Sequence, residues 1–95
     1  MNIRKMVDGD QQVVLDMMIC FYNSDAVLCH PDETVLEKCI SDCVSGIPYV
    51  EGFVFEVNGI VAGYGMTAIG YATEAGGICV HIEDIYISPQ FRGQG

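Results

Sequence analysis

Ile82-Glu83-Asp84-Ile85-Tyr86-Ile87-Ser88-Pro89-Gln90-Phe91-Arg92-Gly93-Gln94-Gly95 is the stretch on which the rest of the sequence turns. Its isoleucines and tyrosine make the first six positions a strand, although two of them are acids. Ser88-Pro89 ends that strand, because proline has no N–H to give a ladder. An Arg-Gly-x-Gly turn follows. Such a turn after a strand lets backbone N–H groups converge on a phosphate, and the N-terminus of a following helix completes the site. The stretch therefore points to a phosphate-bearing ligand. The sequence ends at Gly95, before any such helix.

Upstream, the texture is that of strands back to Pro48. Residues 53–57 are β-branched and aromatic. Asn58-Gly59 is a strong hairpin signal, and residues 60–68 return as the partner strand. Gly63 and Gly65 interrupt that partner, which predicts a bulge or a close backbone approach. Residues 71–77 read as a polar, glycine-rich loop, and residues 78–87 as the last strand. Gly63-Tyr64-Gly65-Met66-Thr67-Ala68 fits the dinucleotide pattern G-x-G-x-x-A, but that fingerprint needs a strand-to-helix turn and this match lies inside a strand.

The first half is helical. A short strand is expected at residues 3–6. Asp8 and Gln11 are spaced as a capping box, and Val13, Val14, Met17, Met18 and Phe21 recur on one face, predicting a helix over 9–22. Pro31, Asp32 and Glu33 suit a helix start. Val35, Leu36, Cys39, Ile40, Cys43 and Val44 continue a second helix to Ser45-Gly46, where glycine supplies the stop. The order is one strand, two helices, then a three-strand meander. The expected fold is α+β, with a mixed, mostly antiparallel sheet and both helices packed on it.

Ninety-five residues suit one domain, 1–95. A hydrophobic content of 51% argues against disorder. No apolar run approaches the roughly 20 residues of a membrane helix, and no signal peptide opens the chain, so a cytoplasmic protein with no membrane partner is expected. The net charge of −9 argues against nucleic acid and suits a cationic partner. The five cysteines include no C-x-x-C and match no zinc template, so no metal is expected and a reducing compartment is the simplest setting.

The element order together with Ile-Glu-Asp-Ile-Tyr-Ile-Ser-Pro-x-x-Arg-Gly-x-Gly resembles the GNAT acyltransferase superfamily. The last part is similar to that family's acyl-CoA motif, in which strand β4 leads into Q/R-x-x-G-x-G/A at a helix start. The Glu-Asp pair is similar to that of polyamine acetyltransferases of the spermidine/spermine type. The resemblance implies transfer of an acetyl group from acetyl-CoA to a small amine. It implies that backbone groups of Ile85 and Ile87 line the pantetheine, and that Arg92, Gly93 and Gly95 begin the pyrophosphate cradle. Glu83 matches a β4 carboxylate that accepts the amine proton in some members, often through water, and an amine must lose a proton before it attacks a thioester. By simple alternation Asp84 faces the other side, unless a bulge intervenes. His81 shares the Glu83 side as a second candidate base, and Tyr86 shares the Asp84 side as core.

Family members continue past this motif with further helices and strands. On the resemblance, residues 1–95 are the N-terminal part of the domain, ending within the pyrophosphate loop. Acetyl-CoA binding by this part alone is then expected to be weak or absent, and the part inactive. The last strand, long and apolar, would be left as an edge, which predicts a homodimer through it. The alternative is a non-catalytic, self-associating structural module.

Overall fold

Two amphipathic helices and a sheet with one apolar face bury those surfaces only against each other. The structure, a computed structural model, describes residues 1–24, 27 and 30–93. The elements are β1 (Asn2–Lys5), α1 (Gln11–Tyr22), α2 (Glu33–Val44), β2 (Val50–Val57), β3 (Ile60–Ala72) and β4 (Gly77–Ile87). The four strands lie in the order β1-β2-β3-β4. Every pairing among the described residues is antiparallel, so the expected mixed sheet carries no parallel pair here. The connection explains this. One crossover helix returns the chain for a parallel strand, whereas two helices bring it back in the opposite direction.

Asn58 and Gly59 both have positive φ, 53° and 80°, the type I′ geometry that matches strand twist. The second hairpin is longer than its sequence suggests. Tyr71 pairs with Ile78 and Gly70 with Cys79, so the turn shrinks to residues 73–76. Ile69, Tyr71, Ile78 and Val80 supply the β preference that carries the ladder this far.

The start of α1 is organised by Asp10 rather than by Asp8 and Gln11. The Asp10 carboxylate accepts the Val7 N–H at 2.8 Å and two guanidinium N–H groups of Arg4 at 2.8 and 3.0 Å. Arg4, through its hydrogen bonds, holds that carboxyl below its usual range against the opposing effect of burial. Gln11 and Asp8 meet only at 3.4 Å. The core joins Val14, Met17 and Met18 of α1 and Leu36 and Ile40 of α2 to Val54, Tyr64, Met66 and Tyr86 of the sheet. Val13 and Val35, expected on the buried faces, are exposed at the rims, while Leu15 is buried instead. No described helix is long and apolar enough to cross a membrane.

Gly63 answers the sequence signal in both ways. Phe55 pairs with Gly63 and Glu56 with Val61, which leaves Ala62 as an extra residue on β3. A Cβ at Gly63 would overlap the backbone carbonyl oxygen of Tyr86 on β4. Backbone cannot yield as a flexible side chain can. Gly63→Ala is therefore expected to cost about 2 kcal/mol or more, read as a lower urea midpoint. A midpoint equal to wild type would show that β3 and β4 are not held this close.

Candidate active site

The acids of β4 are placed by a break in its ladder. Met66 pairs with Asp84 and Thr67 with Ile82, so Glu83 is an extra residue with no partner on β3. A bulge of this kind turns two successive residues towards one side. Simple alternation would have put Glu83 and Asp84 on opposite faces. The bulge corrects that expectation, and both line one cleft of about 440 Å³ between α2 and the sheet. Glu83 is exposed at its mouth and Asp84 is buried in its floor. The shift extends down the strand. His81 pairs with Ala68, which lines the same cleft, so His81 lies on the helix-covered face. Its Nε2 is 3.3 Å from Cys79 Sγ.

Asp84 is 6% exposed, and neither carboxylate oxygen is left bare. The Tyr22 hydroxyl, from the last turn of α1, donates to Oδ1 at 2.7 Å. The Tyr64 hydroxyl, from β3, donates to Oδ2 at 2.9 Å. Burial first, and then the Asp84 charge and hydrogen bond, push both phenols above their ordinary range, so they stay protonated donors. Among the described residues no ion pair reaches Asp84. The end of α1 is held in turn by His30, whose Nδ1–H donates to the Tyr22 carbonyl.

The residues expected to hold acetyl-CoA gather on the other side of the end of α1. Ile85, Ile87 and Arg92 line an open groove of about 730 Å³ with Phe21 and Tyr86. Ile87 and Arg92 continue, with Gly93, into a neighbouring hollow of about 320 Å³. After β4 comes a 3-10 turn at Pro89–Phe91. Gly93 has φ 82°, the left-handed backbone that glycine adopts without strain. Arg92 folds back, donating from Nε to the Ile87 carbonyl at 2.7 Å with its guanidinium 5.3 Å from the centre of the Tyr86 ring. That contact uses one of five N–H donors. Gly95 lies outside the described residues.

Tyr22 and Tyr64 were not read as site residues from sequence. Tyr22 looked like the end of a helix and Tyr64 like a strand residue between glycines. Nothing local pairs either with an acid 62 or 20 positions away.

With this geometry in view, the comparisons are informative. The model of the Acetyltransferase (GNAT) family matches residues 15–95. No curated protein sequence matches significantly. Solved structures similar to the chain include an integron cassette protein from the mobile metagenome of Cole Harbour Salt Marsh. It is 19% identical with TM-score 0.83, covering 98% of this chain and 60% of that one. A possible acetyltransferase from Clostridium difficile 630 is 17% identical with TM-score 0.81, covering 99% and 61%. A predicted acetyltransferase from Clostridium acetobutylicum, solved with acetyl-CoA, is 17% identical with TM-score 0.74, covering 99% and 64%. At these identities the likeness is one of fold. The chain spans about three fifths of the length of each of these structures.

Replacing Asp84 by Asn removes the charge and leaves one acceptor oxygen for two donors. It should cost about 1–3 kcal/mol of stability. The two phenols should also ionise at lower pH, seen as an earlier rise in tyrosinate absorbance. Because their folded pKa values lie above the ordinary 10.0, the stability they contribute is complete below pH 10 and is lost as pH rises beyond it. An unchanged tyrosinate titration in Asp84→Asn would separate the acid from the phenols.

Proposed function

The chain belongs to the GNAT family of acetyltransferases, and from that premise we propose that the protein transfers an acetyl group from acetyl-CoA to the nitrogen of a small amine. The β4 bulge is the observation that carries the proposal. It sets Glu83 at the mouth of the cleft, two residues before Ile85 and the groove of Ile85, Ile87 and Arg92. A carboxylate that removes a proton from an amine thus stands beside a surface suited to an acyl carrier.

The groove fits acetyl-CoA in three respects. Ile85 and Ile87 give it an apolar wall. Among the described residues, β4 has no strand on its outer side, so its backbone is available to an amide-bearing arm. Arg92 and the left-handed Gly93 follow where a pyrophosphate would need cationic and backbone N–H donors. Acetyl-CoA supplies an activated acyl carbon on a good thiolate leaving group. Glu83 takes the ammonium proton, directly or through one water, which frees the nitrogen lone pair to form the new C–N bond as the C–S bond breaks, and the second proton that nitrogen loses as the amide forms goes to the departing thiolate. The Asp84 charge, fixed by two tyrosines, keeps the cleft attractive to a cation. His81 stands on the same face as a second base.

Glu83→Gln keeps the shape and removes the base. In the whole protein it should lower kcat/KM for the amine about tenfold to a thousandfold. Activity and a pH–rate profile equal to wild type would remove Glu83 from this role.

A second reading, a self-associating module, is favoured by the outer face of the same hairpin. Ile69, Tyr71, Ile78, Val80 and Ile82 are 47–76% exposed there, beside an edge of β4 that no described strand pairs. Two copies could join antiparallel along that edge and close both at once. Sedimentation should then show a dimer that Val80→Lys weakens. A monomer at high concentration would exclude this mode.

A further inference from the structure

The cleft beside β4 has an anionic end and, among its described lining residues, mostly apolar walls, and that division bears on which amine it takes. The anionic end is the bulge, where Glu83 and Asp84 are neighbours. A third carboxylate, Asp42, also borders the cleft, but it is already paired, with both oxygens 2.8 and 3.0 Å from Lys38 Nζ. Among the described residues the anionic focus that is left without a cationic partner is therefore the bulge. Around it stand Met18, Val35, Leu36, Cys39, Cys43 and Met66. The two thiols belong with the hydrocarbon. Burial first, then neighbouring thiol and carboxylate groups, push Cys43 up to about 11, and burial and then Asp84 push Cys39 upward, so both are neutral near pH 7. The volume of about 440 Å³ lies in the lower range of small-molecule sites.

We propose that the acceptor is an amphiphilic monoamine, carrying one ammonium on an unbranched or aromatic hydrocarbon body. The ammonium sits at Glu83, within the field of Asp84, and the body lies against Val35, Leu36 and Cys39. A buried carboxylate with only neutral phenols as partners gains from a cation. A polyamine would place its further ammonium groups on walls where the described side-chain oxygens are only Thr67 and the Lys38-paired Asp42, and a polyhydroxylated amine would do the same with its hydroxyls. The site is the one assigned above to acetyl transfer, so the inference rests on that assignment. It is tested by binding alone, so that the two can fail separately.

The protein is titrated with phenethylamine, spermidine and phenethyl alcohol, and backbone amide shifts are followed by NMR. Phenethylamine should move the signals of Cys39, Met66 and Asp84. It should bind about tenfold or more tightly than either spermidine or the uncharged alcohol. Val35→Asp, an exposed change on the wall, adds a second anionic subsite and should narrow or reverse the preference over spermidine. Spermidine binding as tightly as phenethylamine to the wild type, equal binding of the alcohol, or binding of none of the three would overturn the proposal. Monoamine binding in the cleft without acetyl transfer in the whole protein would leave the inference standing and sink the acetyltransferase assignment. Acetylation of a polyamine with no monoamine binding would do the reverse.

Discussion

A charged carboxylate inside an apolar layer survives only if its oxygens are satisfied, and Asp84 is such a group. Its two tyrosine donors come from different elements, Tyr22 from α1 and Tyr64 from β3. The acid therefore ties the end of the first helix to the middle of the sheet through β4. Removing either donor leaves part of a buried charge without a partner, which costs more than the hydrogen bond itself contributes. The end of α1 and the floor of the cleft are fixed to each other by this one anchor.

The last turn of α1 also divides the cleft from the groove. Tyr22 faces the cleft, while Phe21 faces the groove. The two rings meet edge to face at 4.9 Å between centroids, and Phe21 reaches Tyr86 at 5.9 Å. Aromatic contact of this kind is directional and stiff. The cleft and the groove share a wall that is packed on both sides. β4 runs along both, presenting acids to one and isoleucines to the other.

Much of the fold was legible because it rests on local chemistry. The helices follow from the spacing of Val14, Met17 and Met18 and of Leu36 and Ile40, and the first hairpin from Asn58-Gly59. Gly63 announced both the bulge beside it and the close approach of β4. The groove residues came from a contiguous motif, and the structure brings Ile85, Ile87, Arg92 and Gly93 together. Asp84 was misplaced because alternation was applied across a break. The break has a signature in the sequence itself. Apolar residues at 78, 80 and 82 resume at 85 and 87, a change of parity at Glu83-Asp84 that only a bulge accommodates. The tyrosine anchor was beyond such reading, since it joins residues through space that no spacing rule connects.

That change of parity can be counted in residues. Below the bulge, Ile78, Val80 and Ile82 face outward, and above it Ile85 does the same opposite Gly65. Delete Glu83 alone and Ile82 and Asp84 become neighbours in an unbroken strand, each still on its own face. Every other β4 residue keeps its environment. The proposed base is thus, in coding terms, one codon more than a regular strand would need. Removing that one residue would keep the β3–β4 pairing on either side of it and take the carboxylate out of the mouth of the cleft.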